Sequence, residues 1–267
     1  MDTISVYVSP WRRAWLFVIL GLVLSFLVAP VLIVIPMSFS ASNYLQFPPE
    51  EWSWRWYQSF FSSVEWLAAT RNSILAACLT TVVATPVGVL AAVALSRARG
   101  FTSQMAQAVF LLPQVVPVII IGIGVFFLYI RLGLVNTMAG IVLAHAALAI
   151  PFVVITTLSG LKNFDINQSN AAQSLGAHPI RAFFDVTLPQ IRLSIIAGAL
   201  FSFITSLDEV VISLFIAGGD NTLLTRRMFL SLRDQLDPTI AAISSILIAL
   251  SIIGVVLFLI FSKHRDS

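Results

Sequence analysis

Charge is scarce in this chain: Asp, Glu, Lys and Arg together make up 10% of its 267 residues. Soluble domains ordinarily carry about a quarter of their residues as charges, so a water-soluble enzyme or binding domain is excluded. Cysteine is almost missing. The single Cys78 falls in an apolar stretch, rules out an intrachain disulfide and gives no evidence of a metal site. No Walker A loop, metal-ligand pair or hydrolase elbow occurs, so the chain offers no catalytic residue, no metal site and no cofactor site. No internal repeat is evident either.

What is abundant is hydrocarbon. Hydrophobic residues reach 58% and mean hydropathy is +0.96. Apolar blocks fall at 15–37, 71–95, 105–130, 138–160, 194–217 and 239–261. Each is near the ~20 residues that a helix needs to cross a bilayer. The pattern predicts an all-α polytopic membrane protein with six transmembrane helices, forming a single domain over 1–267.

Net charge is +3 and the pI is near 9.4, but the basic residues are scattered through short loops rather than gathered for nucleic acid. They read as topology signals instead. With the N-terminus inside, Arg12, Arg13, Arg97, Arg99, Lys162, Arg181, Arg192, Lys263 and Arg265 are cytoplasmic. Arg55, Arg71, Arg131, Arg226, Arg227 and Arg233 are outside, a modest inward bias that puts both termini in the cytoplasm. The run from Trp15 to Met37 exceeds the ~7–15 residues of a signal-peptide core, so it reads as an uncleaved first helix.

Between helices one and two, Trp52, Trp54, Trp56 and Tyr57 fit an aromatic belt at the lipid headgroups. Stacking of Trp54 on an ammonium group is the alternative. Thr80, Thr81, Thr85 and Gly88 on helix two are small enough for close helix approach, whereas Pro113 and Pro117 predict a bend in helix three. His145 on helix four reads either as a proton relay or as a packing residue bonded to a neighbouring carbonyl.

Helix five carries Asp208 and Glu209, the only acids within any apolar block. Intramembrane carboxylates are costly and mark a functional site by default. On a continuous helical wheel Gly198, Ser202, Thr205, Ser206, Glu209 and Ser213 share one face, with Asp208 on its flank. This polar stripe reads as a solute pathway in which Glu209 matters more, or alternatively as a close-packing face. Residues 218–238 then form an outer segment whose Met228, Phe229 and Leu232 suit a helix lying at the interface or folded into the outer mouth.

The segment between helices four and five, about 161–193, holds Asn170-Ala171-Ala172-Gln173-Ser174-Leu175-Gly176, followed after nine residues by Val186-Thr187-Leu188-Pro189. Asp165 with Gln168 three positions on suits the start of a short helix, Gly176 its left-handed stop, and Pro179 the start of a second. Two short helices joined by an elbow result.

This pattern resembles the loop of ABC-importer permeases, usually an acid, two alanines, three residues, glycine, nine residues and I-x-L-P. Ala171, Ala172, Gly176, Leu188 and Pro189 match, and Val186 replaces isoleucine. Asn170 stands where the family carries an acid, so an ion pair is not carried over to that position. The resemblance implies that Asn170, Ala171, Ala172, Leu175, Gly176, Leu188 and Pro189 dock onto a separate ATPase. The His145 to Pro151-Phe152 stretch and Ser206 to Phe215 are similar to helices of the spermidine/putrescine-type permeases.

The family implies a type I importer (MetI-like) fold in a bacterial inner membrane, surrounded by lipid. It also implies a cytoplasmic ABC ATPase dimer, a second homologous permease and a periplasmic or extracytoplasmic solute-binding protein. The solute is expected to be small and cationic, with Asp208, Glu209, Ser202, Thr205, Ser206 and Trp54 toward the pathway. An amino-acid derivative or opine is the alternative solute. A self-sufficient secondary transporter or channel is the alternative class.

Overall fold

The computed structural model describes residues 10–98, 100–234 and 237–263. Arg99 and Arg265, both placed above in the cytoplasm, lie outside the described residues. The chain divides into two compact units, one of residues 1–64 with 231–267 and one of residues 65–230.

In the first unit, α1 (Pro10–Met37) packs along α12 (Thr239–Lys263), and α2 (Arg55–Ser62) packs on α12 as well. From Trp15 to Leu32 the α1 side chains are exposed, an all-round hydrocarbon surface that only lipid or another apolar helix can solvate. Ser38 Oγ and Tyr57 Oη bond at 2.7 Å, tying the end of α1 to α2. Trp54 is 63% exposed and lies edge-on to Phe39, centroids 4.8 Å apart.

The second unit holds α3 (Val64–Arg97), α4 (Phe101–Val115), α5 (Val118–Leu132), α6 (Met138–Asn163) and the elements that follow them. The predicted helix three is two helices meeting at 96°. Pro117 has no N–H to continue the ladder and pushes Val116 into an extended conformation (φ −75°, ψ 132°), so the chain turns sharply at the expected bend.

Downstream come α7 (Ile166–Ser174), the single turn α8 (Pro179–Ala182), a π-helical turn (Phe183–Thr187) and α9 (Leu188–Asp208). The second short helix of the loop therefore runs on into helix five instead of ending before it. Pro189 removes one backbone donor, and the wider π turn just before it accommodates that loss without a break.

α6 and α9 pack antiparallel along their length, with α3 against them. Small residues make the seam. A Cβ on Gly88 would meet Val153 Cβ at 2.6 Å, and one on Gly198 would meet Thr156 Oγ1 at 2.6 Å and Val153 Cα at 3.1 Å. Ala84, Ala146 and Ala149 fill the same layer. These side chains let three backbones approach closely where no hydrophobic force acts between helices in lipid.

Gly198→Val should therefore force α6 and α9 apart at a cost of about 1–3 kcal/mol. A lowered melting temperature of the detergent-solubilised protein checks it. Gly124, with nothing within 4 Å of its Cβ position, is the tolerant control.

Candidate functional site

Helix five does not continue through its acids. α9 ends at Asp208, Glu209 is extended (φ −71°, ψ 117°), and a new short helix, α10 (Val211–Ile216), begins two residues later. The continuous wheel that placed Glu209 and Ser213 in one stripe is corrected accordingly. The cause is the Glu209 side chain. Its Oε1 accepts the Ile212 N–H at 2.8 Å, and its Oε2 accepts the Ser213 N–H at 3.0 Å and the Ser213 hydroxyl at 3.1 Å. A carboxylate at the start of α10 thus satisfies backbone donors that have no intrahelical partner and meets the positive end of the helix dipole.

The Glu209 carbonyl is held too, by Ser213 Oγ at 3.1 Å and by Thr225 Oγ1 at 2.9 Å from α11 (Leu224–Asp234). His145 completes the cluster from α6. Its Nδ1 lies 2.8 Å from Ser206 Oγ, its Nε2 3.3 Å from Ser213 Oγ and 3.7 Å from Glu209 Oε2. Ser206 Oγ in turn donates to Thr80 Oγ1 at 3.3 Å. His145 therefore bonds hydroxyls next to an acid, not the neighbouring carbonyl expected of it. Thr80, His145, Ser206, Ser213 and Glu209 are buried, Glu209 at 8% exposure, and Thr225 is half-buried.

Asp208 differs from its neighbour. Its side chain is exposed and makes no hydrogen bond or ion pair among the described residues. Ser202 is fully buried, its hydroxyl without a partner among the described residues, one turn below Ser206, and Thr205 is half-buried. Of the residues expected along the pathway, Glu209 and Ser206 are brought together, Asp208 stands apart on the surface, and Trp54 belongs to the other unit. Thr80 and Thr225 were not among the expected pathway residues, because only the meeting of α3, α6 and α11 at the break gives their hydroxyls a role.

At the other end of α9, the expected docking segment is local and well formed. Asp165 Oδ1 accepts the Asn167 N–H at 3.0 Å and starts α7. The Gln168 side chain bonds Gln190 on α9 instead of closing a capping box. Gly176 has φ +94°, and the Gly176 and Ala177 N–H groups bond the Gln173 and Ala172 carbonyls, a left-handed helix stop. Asn170, Ala171, Gly176 and Pro189 are exposed, Ala172 and Leu188 are half-buried, and Leu175 projects with 91% of its surface free. A groove of about 320 Å³ lies beside it, lined by Leu90, Val93 and Arg97 of α3 and by Pro179, Ile180, Phe183 and Phe184.

Residues 84–266 match the family model described as "Binding-protein-dependent transport system inner membrane component". The chain belongs to this family. The permease is 33% identical to the putrescine transport system permease protein PotI of Escherichia coli (strain K12), covering 98% of this chain and 95% of that one. It is 30% identical to the spermidine/putrescine transport system permease protein PotC of Haemophilus influenzae, over 96% and 97% of the two chains. The solved structure of a bacterial ABC transporter involved in import of the acidic polysaccharide alginate covers 96% of this chain and 98% of its own, with TM-score 0.68 at 16% identity. That likeness concerns the fold alone, and it bears out the all-α, MetI-like architecture. The protein is a multi-pass transport permease subunit.

Proposed function

We propose that this permease forms part of the pathway for a small cationic solute, in the class of putrescine and spermidine, in an ATP-driven importer. The observation that carries the reading is Asp208, an exposed carboxylate without a partner among the described residues, at the point where an intramembrane helix breaks. An acid there, in water bounded by low-dielectric walls, attracts an amine and repels an anion. The PotC and PotI relatives, named for spermidine and putrescine, support the same charge. Glu209 serves this site by positioning it, since its oxygens are already engaged by α10.

In this reading residues 1–267 act as one permease domain with both termini cytoplasmic. A second homologous permease completes the pathway, a cytoplasmic ABC ATPase dimer drives it, and a solute-binding protein delivers solute from outside. ATP binding closes the ATPases, moves the docking loops and turns the pathway outward; hydrolysis resets it. The chain itself hydrolyses nothing.

The deciding experiment uses the complex reconstituted in lipid vesicles. ATP turnover and putrescine uptake that both depend on the binding protein support the importer. Uptake by this chain without an ATPase overturns it in favour of a secondary transporter or channel.

The docking segment has its own test. Gly176→Ala adds only the strain of a left-handed residue, roughly 1 kcal/mol. Gly176→Leu adds bulk beside Leu175 on the exposed face. Membrane insertion should survive both, whereas ATPase co-purification should fall sharply with Leu and little with Ala. Equal retention of the ATPase by both variants would remove Gly176 from the contact.

A further inference from the structure

Arg226 stands alone among its neighbours. It lies on the first turn of α11, in a corner built by the α5–α6 loop, the α10–α11 loop and α3 of the second unit. The next residue, Arg227, is ion-paired with Glu65 and stacked over the Trp66 ring at 4.8 Å. Arg226 is half-buried, its Nε is cut off from solvent without a hydrogen-bond partner, and no carboxylate pairs with it among the described residues. Burial pulls its pKa below the ordinary guanidinium range, so the fold works against this charge, and no counter-ion faces it among the described residues.

The corner is rigid. The Asn136 N–H donates to the Ile216 carbonyl at 2.8 Å, and Asn221 Nδ2 donates to the Asn136 carbonyl at 2.8 Å. The Leu224 N–H donates to Ser73 Oγ at 2.8 Å and holds the start of α11. Gly218 leaves room for the guanidinium: a Cβ there would lie 2.8 Å from Arg226 Nη1 and 2.6 Å from Asn136 Oδ1. A side chain at 218 would fill the cradle. A half-desolvated guanidinium held in a fixed frame costs free energy that an anion returns most fully, and a planar fork of N–H donors suits a carboxylate.

We infer that Arg226 is a docking point on the outer face for an acidic side chain of the solute-binding protein. This rests on the importer reading above. The solute itself is the wrong sign, since an amine attracted to Asp208 is repelled by Arg226. A carboxylate carried on the binding protein has the right one and approaches from the side on which this corner lies in that reading.

The test titrates the complete importer in lipid nanodiscs with its binding protein loaded with putrescine and follows ATPase stimulation. Arg226→Gln should raise the half-saturating concentration of binding protein roughly 10- to 100-fold and flatten its salt dependence, with basal ATPase and complex assembly unchanged. Arg226→Lys should recover part of the loss. Gly218→Ala, which displaces the guanidinium without removing it, should shift the curve in the same direction.

An unchanged half-saturating concentration for Arg226→Gln at low salt overturns the inference. So does loss of the second permease from the complex, which assigns the guanidinium to that subunit, or an altered choice of solute at saturating binding protein, which assigns it to a solute carboxylate. A wild-type importer indifferent to binding protein overturns the importer reading as well. A wild type that responds, with an Arg226→Gln curve superimposed on it, removes only the dock.

Discussion

Asp208→Asn is expected to lower putrescine uptake about 10- to 100-fold, the loss of one charge-assisted hydrogen bond of about 1.5–3 kcal/mol. The effect should be larger for a trivalent amine and smaller for a monovalent one, because the Coulomb attraction lost scales with solute charge. Assembly and basal ATP turnover should stay near normal, since the exposed carboxylate makes no hydrogen bond or ion pair among the described residues. Uptake assays with amines of one, two and three charges check this. Equal uptake of all three by wild type and variant would leave Asp208 with no part in the pathway.

Glu209→Gln should do something different in kind. The wild-type carboxylate accepts from two backbone N–H groups and one hydroxyl at the start of α10, with His145 Nε2 3.7 Å away. An amide keeps one acceptor oxygen and turns an NH2 group toward a backbone donor, leaving a buried N–H unsatisfied at a cost of roughly 1–3 kcal/mol, more with the charge lost from the helix N-terminus. The expected result is a lower melting temperature and a lower yield of assembled complex. The remaining transport should fall by the same factor for every solute.

Glu209→Asp retains the charge but shortens the reach, and should be intermediate. If instead Glu209→Gln assembled normally and discriminated among amines by charge, Glu209 would be the solute ligand and the cap incidental. The proposed reading thus puts Asp208 first for solute selection and Glu209, foremost on the helical wheel, first for stability.

The same break shows why part of the site was hidden in the sequence. Pro117 announces the turn between α4 and α5, because a missing donor and a steric clash act on the adjacent residue alone. Gly176 announces the end of α7 in the same way. Nothing of that kind marks residue 209. Ser206 through Ser213 has apolar content and periodicity suited to a continuing helix, and no glycine or proline interrupts it.

By itself, then, the sequence determined that the chain is helical and membrane-spanning, and that Gly176 stops the helix carrying Asn170 to Ser174. Those features follow from hydropathy over ~20 residues and from backbone preferences of single residues, both local quantities. Only the tertiary structure decided the fate of the two acids. Glu209 turns inward because Ser213, Thr225 and His145, from three separate helices, meet at one point and satisfy its carboxylate and carbonyl better than another turn of α9 would. Asp208, one residue earlier, is left outside with its charge free because a chain that breaks there sends successive side chains in opposite directions.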